Sequence, residues 1–316
     1  MNGHTHPHVH LEDTVRGTSF RLGLSLALTA VFVIVEIAAG VFSNSLALLT
    51  DAAHNFTDVI ALGLSWFAVR LATRPSSASR TYGYHRAGIL VALVNSTTLV
   101  VISLGIFYSA YQRFQSPPEV KSGVMIVVGL LAFVVNLVTA LLVRQGSGED
   151  LNLRSAYLHL MGDVLSTLGA VVAGVIIFFT DWNWLDPLVS VFIGMLILWN
   201  AWGILRETVD ILLESTPRDV DMDAMIRDMS QVKGVLGVHD LHVWSITQSM
   251  RTMSAHILTD DIAISAGREI QNQLNGLLAD NYHITHATLQ LECANCQPCL
   301  YCDMNEVNHQ HVHAET

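Results

Sequence analysis

Two segments that should lie within a lipid bilayer each carry a histidine and an aspartate four residues apart. The pairs are His54 with Asp58 in LLTDAAHNFTD, and His159 with Asp163 in AYLHLMGD. Residues four apart on an α-helix share one face and are about 6 Å apart along its axis. Two imidazoles and two carboxylates form a four-ligand set that suits Zn²⁺, whose charge the carboxylates neutralise. The spacing therefore predicts one metal ion held between two helices.

The alternative interpretation is that these side chains only make polar contacts between packed helices, as intramembrane histidines often do. With a single His/Asp pair, metal binding and helix packing would be about equally well supported. Ionisable groups at this depth are costly, and they persist where they pair with one another or with an ion. Because two pairs with identical spacing occur, the metal interpretation is favoured.

Other polar residues in the same spans have a less direct relation to this site. Asp51 lies three residues before His54 on the same helical face, but the corresponding position of the other helix is Ala156. We interpret Asp51 as a carboxylate that supports a ligand or lies on the entry path of the ion, with direct ligation as the alternative. Hydrogen bonding between helices explains the other polar residues that lie in or at the ends of the spans. These are Glu36, Asn95, Asn136 and Asp186.

The composition is that of a polytopic membrane protein. Of the 316 residues, 51% are hydrophobic and 14% are charged, which excludes an ordinary soluble enzyme. Apolar stretches near the length needed to cross about 30 Å of hydrocarbon predict six transmembrane helices. They lie around Arg21–Phe42, Leu46–Leu71, Gly88–Tyr111, Gly123–Val143, Leu158–Phe179 and Leu185–Ile204. The first is too long and too polar for a cleavable signal sequence, so it is expected to be retained.

The basic residues predict the orientation of these helices. With a cytosolic N-terminus, only Arg113 and Lys121 fall outside, and the other arginines near the spans face the cytosol. The cytosolic set is Arg16, Arg21, Arg70, Arg74, Arg80, Arg86, Arg144, Arg154 and Arg206. Both termini are then cytosolic. The formal net charge of −11 favours attraction of cations and argues against nucleic acid as a partner.

The hydrophobic periodicity changes after Thr216. VLGVHDLHVWSI, MRTMSAHILTD and THATLQLE alternate as strands do, and helices are predicted over Met222–Met229 and Ser265–Ala279. The resulting αββαβ order predicts a small α+β sandwich with its helices on one face of the sheet. Because a domain of fewer than about 80 residues has a thin core, we expect it to dimerise through a sheet face or edge.

Both ends of the chain carry further residues of types that bind metals in proteins. Alternating histidines occur at His4, His6, His8 and His10, and the C-terminal run contains Cys293, Cys296, Cys299, Cys302, His309, His311 and His313. Cysteines in a reducing cytosol favour thiolate metal ligation over disulfides. An iron–sulfur site is the less favoured alternative, because no proline follows the last cysteine. The histidine run is equally compatible with a disordered arm of low affinity.

These features divide the chain into four predicted regions. A His-rich cytosolic tail (1–15) precedes a six-helix transmembrane domain (16–214), a cytosolic domain for metal binding and dimerisation (215–292) follows, and a Cys/His-rich tail (293–316) ends the chain. The fold class is therefore an α-helical membrane protein with a C-terminal α+β domain.

The chain resembles the cation diffusion facilitator family of zinc transporters. The resemblance spans about Arg16–Glu292 and rests on SNSLALLTDAAHNFTD, TYGYHRAGILVALVN, HLMGD, LDPLVSVFIG and GVHDLHVWSI. It implies a homodimeric, proton-coupled exporter of divalent metal from the cytosol, whose transmembrane site maps onto the two His/Asp pairs. It also implies a ferredoxin-like cytosolic domain that binds metal at the dimer interface. By position, its ligands would be His239, His256 and Glu292.

The sequence departs from this family at three places. The loop RPSSASRTYGYHRAG offers only His85, so the Asp/His site that some relatives carry there is not expected. Gly88 replaces the acidic residue common after YGxxRA, and QGSGEDLNL stands where many eukaryotic relatives have a His-rich loop. These differences favour a prokaryotic protein of the cytoplasmic (inner) membrane.

The expected function is export of Zn²⁺ by alternating access, in exchange for protons, with Cd²⁺ and Co²⁺ as further candidate substrates. Histidine suits such an exchange, since small changes of environment move its protonation across physiological pH. Cytosolic metal is expected to clamp the two C-terminal domains of the dimer together. No organic cofactor is expected.

A metalloenzyme, a channel and a metal sensor are the alternatives to a transporter. An intramembrane metalloenzyme needs an open coordination position and a general base, whereas four protein ligands leave no room for water and HExxH is absent from the sequence. Enzymatic activity is therefore not expected. A channel would conduct without proton coupling, and a membrane-embedded metal sensor would need no transmembrane exchange. Metal flux into sealed vesicles, with and without a pH gradient, distinguishes these classes.

Overall fold

The computed structural model describes residues 29–144 and 151–293, which form two compact units. The first unit contains the described residues up to Phe67 together with Val91–Leu205. The second joins Ala68–Leu90 to the described chain from Arg206 onward. Each unit therefore draws on two stretches that are separate along the sequence.

Six helices precede the C-terminal domain in the described part of the chain. They are α1 (Thr29–Ser43), α2 (Leu46–Ala72), α3 (Ala87–Gln115), α4 (Ser122–Arg144), α5 (Leu151–Thr180) and α6 (Leu185–Leu212). Among these, α3 to α6 are long and apolar enough to cross a membrane. The helices α5 and α6 exceed the predicted spans because hydropathy marks only the part of a helix that lies in hydrocarbon. The predicted helical membrane domain is confirmed.

Asp186, at the start of α6, fixes the start of α2. Its carboxylate accepts hydrogen bonds from Ser45 Oγ (2.6 Å) and from the backbone amides of Leu46 (2.7 Å) and Ala47 (3.1 Å). The first amides of a helix have no acceptor within the helix, so this carboxylate satisfies them. Arg113 on α3 lies 3.4 Å from the same carboxylate. The predicted hydrogen bonding of Asp186 between helices is confirmed, and it joins α2, α3 and α6.

The C-terminal domain has the predicted αββαβ order. Its elements are α7 (Met222–Ser230), β1 (Gly237–Ser245), β2 (Arg251–Thr259), α8 (Ile264–Tyr282) and β3 (Ile284–Cys293). The strands form one sheet in the order β1-β2-β3, with β1 and β2 antiparallel and β2 and β3 parallel. This mixed sheet is consistent with the expected ferredoxin-like domain.

The core of this domain lies between the two helices and the sheet. Met225 and Met229 on α7 and Leu274 and Leu278 on α8 are fully buried against residues of β2 such as Ile257. The α8 pair is spaced four residues apart, as is the α7 pair, so each helix presents one apolar face. The strands alternate buried and partly exposed residues, which leaves their other face available for polar side chains.

Arg251, at the start of β2, ties both helices of the domain to the sheet. It donates hydrogen bonds to the Asp219 carboxylate (2.6 Å), just before α7, and to the backbone carbonyl of Tyr282 (3.2 Å), the last residue of α8. The hydrogen bond from this guanidinium lowers the pKa of the Asp219 carboxyl.

The loop between α2 and α3 belongs to the same unit as the C-terminal domain. Arg86 Nη2 lies 3.0 Å from Glu214 Oε1, just after α6, and the ring of Tyr82 meets the His286 ring edge to face, with centroids 6.1 Å apart. His286 lies on β3. These contacts connect the end of α2 and the start of α3 to the sheet.

Candidate metal centres

The four residues predicted to bind metal in the membrane meet between α2 and α5. His54 Nε2 lies 3.4 Å from Asp163 Oδ1 and 3.5 Å from Asp58 Oδ2. His159 Nε2 lies 3.0 Å from Asp58 Oδ2 and 3.9 Å from Asp163 Oδ2. The two imidazole rings meet edge to face, with centroids 5.4 Å apart. Each imidazole therefore faces a carboxylate on its own helix and one on the other helix. We refer to these four residues as the transmembrane cluster.

Helix direction explains this arrangement. Each His/Asp pair occupies successive turns of one helix face. The contacts Asp58–His159, His54–Asp163 and Asp51–Ser166 show that α2 and α5 run in opposite directions. The histidine of one helix then lies level with the aspartate of the other. Ligand atoms of His54, His159 and Asp163 all lie within 4.8 Å of one another, and Asp58 Oδ2 lies within 3.5 Å of both imidazoles. If Asp58 joined the other three around one ion, the two imidazole nitrogens and two carboxylate oxygens would satisfy tetrahedral zinc.

Access to the transmembrane cluster is uneven. The side chains of His54 and Asp163 are only 8% and 10% exposed, whereas those of His159 and Asp58 are 36% and 31% exposed. All four residues line a cavity of about 550 Å³ whose walls come from α2, α3, α5 and α6, and His159 and Asp58 are the more exposed pair. A cation in this cavity would reach His159 and Asp58 first.

The cavity extends toward one end of the bundle. It is lined by Asn95, near the start of α3, and by α6 residues from Ile193 to Ile204, in the middle and later part of that helix. It therefore runs from the transmembrane cluster toward the end where α3 begins and α6 ends. Asn95 was expected only to hydrogen-bond between helices. Its place in the wall of this cavity could not be predicted from a single polar residue.

Asp51 lies one turn from His54, away from this cavity. Its carboxylate accepts hydrogen bonds from Ser166 Oγ (2.9 Å) on α5 and from Asn55 Nδ2 (3.1 Å) on α2. Asn55 Nδ2 is also 3.4 Å from the Glu36 carboxylate. The interpretation of Asp51 as a supporting or entry-path carboxylate stays a prediction. Its partners add Glu36, Asn55 and Ser166 to the polar residues around the site.

A second cluster lies at one end of the sheet in the C-terminal domain. His239 Nε2 is 3.2 Å from Glu292 Oε2, and His256 Nδ1 is 3.0 Å from Glu292 Oε1. The two imidazole rings again meet edge to face, with centroids 5.3 Å apart. His239 is buried, and the side chains of His256 and Glu292 are partly exposed. These three residues, the cytosolic cluster, provide three metal-binding groups and leave room for another ligand.

Strand register builds the cytosolic cluster. His239 on β1 is paired with His256 on β2, and His256 is paired with Gln290 on β3. Glu292 follows Gln290 by two residues, so it lies on the same face of the sheet. The register shifts directly after His239, where Asp240 adopts a left-handed backbone with φ of 48°. This bulge turns the Asp240 carboxylate toward His242 Nε2 (3.0 Å) and His256 Nε2 (3.5 Å).

Asp240 and His242 were not expected near a metal site. Alternation along β1 indicates only which face each residue occupies, and the bulge that changes their direction has no signal in the sequence. Cys293 ends β3 as an exposed free thiol. Cys296, Cys299 and Cys302, and the N-terminal histidines His4, His6, His8 and His10, lie outside the described residues.

Two family models match nearly the whole chain. The cation efflux transmembrane domain matches residues 22–213, and the cytoplasmic domain of cation efflux proteins matches residues 217–294. The chain belongs to the cation efflux family. It is therefore an integral membrane protein with a cytoplasmic domain, in agreement with the resemblance to cation diffusion facilitators.

Several bacterial members of the cation efflux family are similar over most of their length. The metal cation efflux system protein CzcD of Cupriavidus metallidurans is 37% identical over 91% of this chain and 91% of its own. The cadmium, cobalt and zinc/H(+)-K(+) antiporter of Bacillus subtilis is 36% identical, with 85% and 87% covered. Zinc transporter ZitB of Escherichia coli is 36% identical over 99% of both chains. These names are those of transporters.

Proposed function

We propose that this cation efflux protein exports divalent metal from the cytosol in exchange for protons, with Zn²⁺ as its principal substrate. The observation that carries the proposal is the meeting of His54, Asp58, His159 and Asp163 beside a cavity that reaches one end of the bundle. Ionisable residues gathered inside a membrane bundle mark an ion pathway. Membership of the family supports efflux as the direction of transport.

The donor set supports zinc as the substrate. Two imidazole nitrogens and two carboxylate oxygens suit a tetrahedral ion with bonds of about 2.0–2.2 Å. Because the same donors bind other first-row and related divalent metals, Co²⁺ and Cd²⁺ are proposed as additional substrates. The relatives named for zinc and for cadmium, cobalt and zinc support this range.

The cavity supports alternating access. We assign its open end to the cytosol, because the arginines next to the spans concentrate at that end, among them Arg70, Arg86 and Arg206. In this orientation both termini are cytosolic, and the described conformation faces inward. Export then requires a second conformation in which the transmembrane cluster is open to the other end of the bundle.

Proton coupling follows from the chemistry of the ligands. An imidazole binds metal only when it is neutral, and a carboxylate binds best when it is ionised, so metal binding releases protons and protons displace metal. Protons that enter from the outer side would release the ion there and reset the site. The Bacillus subtilis relative is named as an antiporter of protons, which supports this exchange.

We propose that the cytosolic cluster regulates this transport in a homodimer. His239, His256 and Glu292 would bind cytosolic metal and stabilise the association of two C-terminal domains. The thin core of the domain supports such an association. The tails at 1–15 and 293–316 would gather or sense metal, and the bacterial relatives support the cytoplasmic (inner) membrane of a prokaryote as the location.

Zinc uptake into sealed inverted vesicles, with and without an acidic interior, tests the proposal. The proposal predicts uptake that the pH gradient drives and that stops when the gradient is dissipated. Flux that is independent of the gradient would indicate a channel, and the absence of flux despite zinc binding would indicate a sensor. Asp58→Asn should lose the uptake. The matched control Asp181→Asn, which neutralises an exposed carboxylate after α5, should keep it.

A further inference from the structure

The end of the membrane bundle opposite to the cavity is held by hydrogen bonds around one turn. This turn joins α1 to α2, and its Asn44 adopts a left-handed backbone with φ of 57°. Arg113, near the end of α3, donates hydrogen bonds to the Asn44 carbonyl (2.6 Å) and to Asn44 Oδ1 (3.2 Å). The rigid fork of the guanidinium therefore holds both the backbone and the side chain of the turn.

Asp186, at the start of α6, binds the same turn. Its fully buried carboxylate accepts hydrogen bonds from Ser45 Oγ and from the first two amides of α2. Arg113 Nη1 lies 3.4 Å from Asp186 Oδ2, so the guanidinium contacts the turn and the carboxylate together. Loss of one partner of a buried ion pair is costly. We refer to Asn44, Ser45, Arg113 and Asp186 as the outer clasp.

Apolar side chains fill the bundle next to the outer clasp. A buried cluster joins the start of α2 to the start of α4 and to the later part of α5, and its members are between 0% and 3% exposed. It contains Ala47, Leu48, Met125, Ala173 and Ile177. A closely packed apolar core gives no passage to an ion. The bundle is therefore closed at this end, whereas the cavity opens it at the other.

The outer clasp joins the two sides of the proposed ion path. The candidate ligands lie on α2 and α5, and the other walls of the cavity come from α3 and α6. Arg113 and Asp186 belong to α3 and α6, whereas the turn that they hold leads directly into α2. For an ion to leave at this end, the start of α2 has to move away from α3 and α6. That movement breaks the hydrogen bonds of the outer clasp.

We infer that the outer clasp is the latch of an exit gate. It keeps the far end of the bundle shut while the transmembrane cluster is open to the cavity, and its release opens the exit. The inference rests on the proposed export function. The Arg113 side chain is 18% exposed, so its guanidinium reaches water when the latch opens. A few strong contacts that are either made or broken give two discrete states.

The rate of thiol labelling tests this inference. In the full chain, Cys293, Cys296, Cys299 and Cys302 are replaced by serine, so that an introduced cysteine is the only thiol. Ala170→Cys is the reporter. Ala170 is 1% exposed and lies about two turns beyond Asp163 on the same face of α5, toward the outer clasp. A membrane-impermeant maleimide added to sealed right-side-out vesicles reaches this position only through the outer end.

Release of the outer clasp should accelerate this labelling. In Arg113→Gln the rate at Ala170→Cys should rise at least about threefold, because a larger fraction of the molecules is open at this end. Arg113→Lys keeps the charge and one donor, so its rate should lie between those of Arg113→Gln and the parent. Ala140→Cys is the matched control reporter. Ala140 is also fully buried, but it lies toward the other end of α4, so its labelling should not change.

A milder substitution provides a second test if Arg113→Gln does not fold. Asn44→Gly keeps the left-handed backbone of the turn, which glycine adopts readily, and removes only the side-chain acceptor of Arg113. Labelling at Ala170→Cys should rise about twofold. Asn44→Asp keeps an acceptor at this position, so it should label no faster than the parent.

The outcomes separate this inference from the proposed function. Unchanged labelling at Ala170→Cys in Arg113→Gln and in Asn44→Gly would overturn the latch. An equal rise at Ala140→Cys would also overturn it, because the outer clasp would then only stabilise the fold of the whole bundle. Export itself is tested by zinc uptake into inverted vesicles. A parent protein that takes up no zinc there would contradict export, whatever the rate of labelling.

Discussion

The transmembrane cluster and the cytosolic cluster hold their two imidazole rings in nearly the same geometry. The two clusters are positioned by different kinds of secondary structure. The rings of His54 and His159 are 5.4 Å apart at 78°, and those of His239 and His256 are 5.3 Å apart at 80°. In the membrane, each histidine shares a helix with its own aspartate. In the cytosolic domain, each of the three candidate ligands comes from a different strand of one sheet.

This difference suits different tasks. The proposed ligands of the transmembrane cluster lie on two helices whose described residues share no backbone hydrogen bond. The proposed transport requires these helices to separate and release the ion on either side. The strands of the cytosolic cluster are held in register by their hydrogen-bond ladder, so the ligands keep their spacing. A site whose halves can separate suits passage of an ion, and a site within one sheet suits its retention.

The largest effect should follow removal of a carboxylate from the transmembrane cluster. In Asp58→Ala or Asp163→Ala the charge of the ion is no longer compensated in a medium of low dielectric, a loss of about 3–5 kcal/mol. Zinc flux should therefore fall at least about 100-fold, while the protein still inserts and dimerises. Vesicle uptake measures the flux, and size-exclusion chromatography checks the dimer. If either variant transported zinc as fast as the parent, the transmembrane cluster would not be the site of ion passage. It would then no longer differ in task from the cytosolic cluster.

The next largest effect should be a change of selectivity in His54→Asp. The substitution replaces an imidazole by a harder, more negative ligand that can bind with two oxygens, so larger ions should gain relative to zinc. We expect Cd²⁺ or Mn²⁺ to compete better against zinc flux by about tenfold, with a shifted pH dependence because one histidine is lost.

An unchanged metal ranking and pH profile in His54→Asp would exclude His54 as a ligand. Asp51, one turn away, would then be the better candidate. The transmembrane site would then have only one imidazole ligand. It would no longer resemble the cytosolic cluster, which has two.

A smaller effect on transport is expected from the cytosolic cluster. Glu292→Gln removes the carboxylate that faces both His239 and His256, so metal binding by this cluster should weaken by about 10- to 100-fold. Maximal zinc flux should change only a few-fold, because the proposed route of the ion does not pass through the sheet. The matched control Glu269→Gln alters an exposed carboxylate on α8. Loss of all flux in Glu292→Gln alone would contradict a regulatory role.

The smallest effect is expected from the tails. Deletion of the residues before Leu11, or of those after Glu292, should change the apparent affinity or the basal regulation of transport and leave maximal flux within a few-fold. The reason is that the role proposed for these segments is only to gather or sense metal. A zinc concentration series in vesicles measures both quantities. Complete loss of flux in a folded truncation would show that a tail takes part in transport.

The two clusters also differ in how far the sequence predicts them. A helix has a fixed rise and turn, so the spacing of His54 and Asp58 already implies one face, and its repetition at His159 and Asp163 implies a partner. The sheet cluster depends on which residues pair across strands. No spacing within GVHDLHVWSI specifies that His239 pairs with His256. The candidate ligands of the cytosolic cluster were therefore predicted only from the family resemblance.

Other features had no usable signal in the sequence. Alternation in the C-terminal segment predicted its αββαβ order, but not the bulge at Asp240, which depends on a left-handed backbone at a residue that is not glycine. The apolar spans were predicted from hydropathy, but Glu36 could not be linked to Asn55, because α1 and α2 meet through packing rather than through spacing. Long-range contacts of this kind require the three-dimensional arrangement of the helices.

The most direct test of the account is X-ray absorption spectroscopy of the zinc-loaded protein that carries His239→Ala and His256→Ala and lacks both tails. The transmembrane cluster should give a four-coordinate ion with two imidazole nitrogens and two oxygens at about 2.0–2.2 Å. In Asp58→Ala this spectrum should be lost at the same zinc loading. A six-coordinate, oxygen-only spectrum, or one that Asp58→Ala leaves unchanged, would contradict the assignment of His54, Asp58, His159 and Asp163 as the site that holds the transported metal.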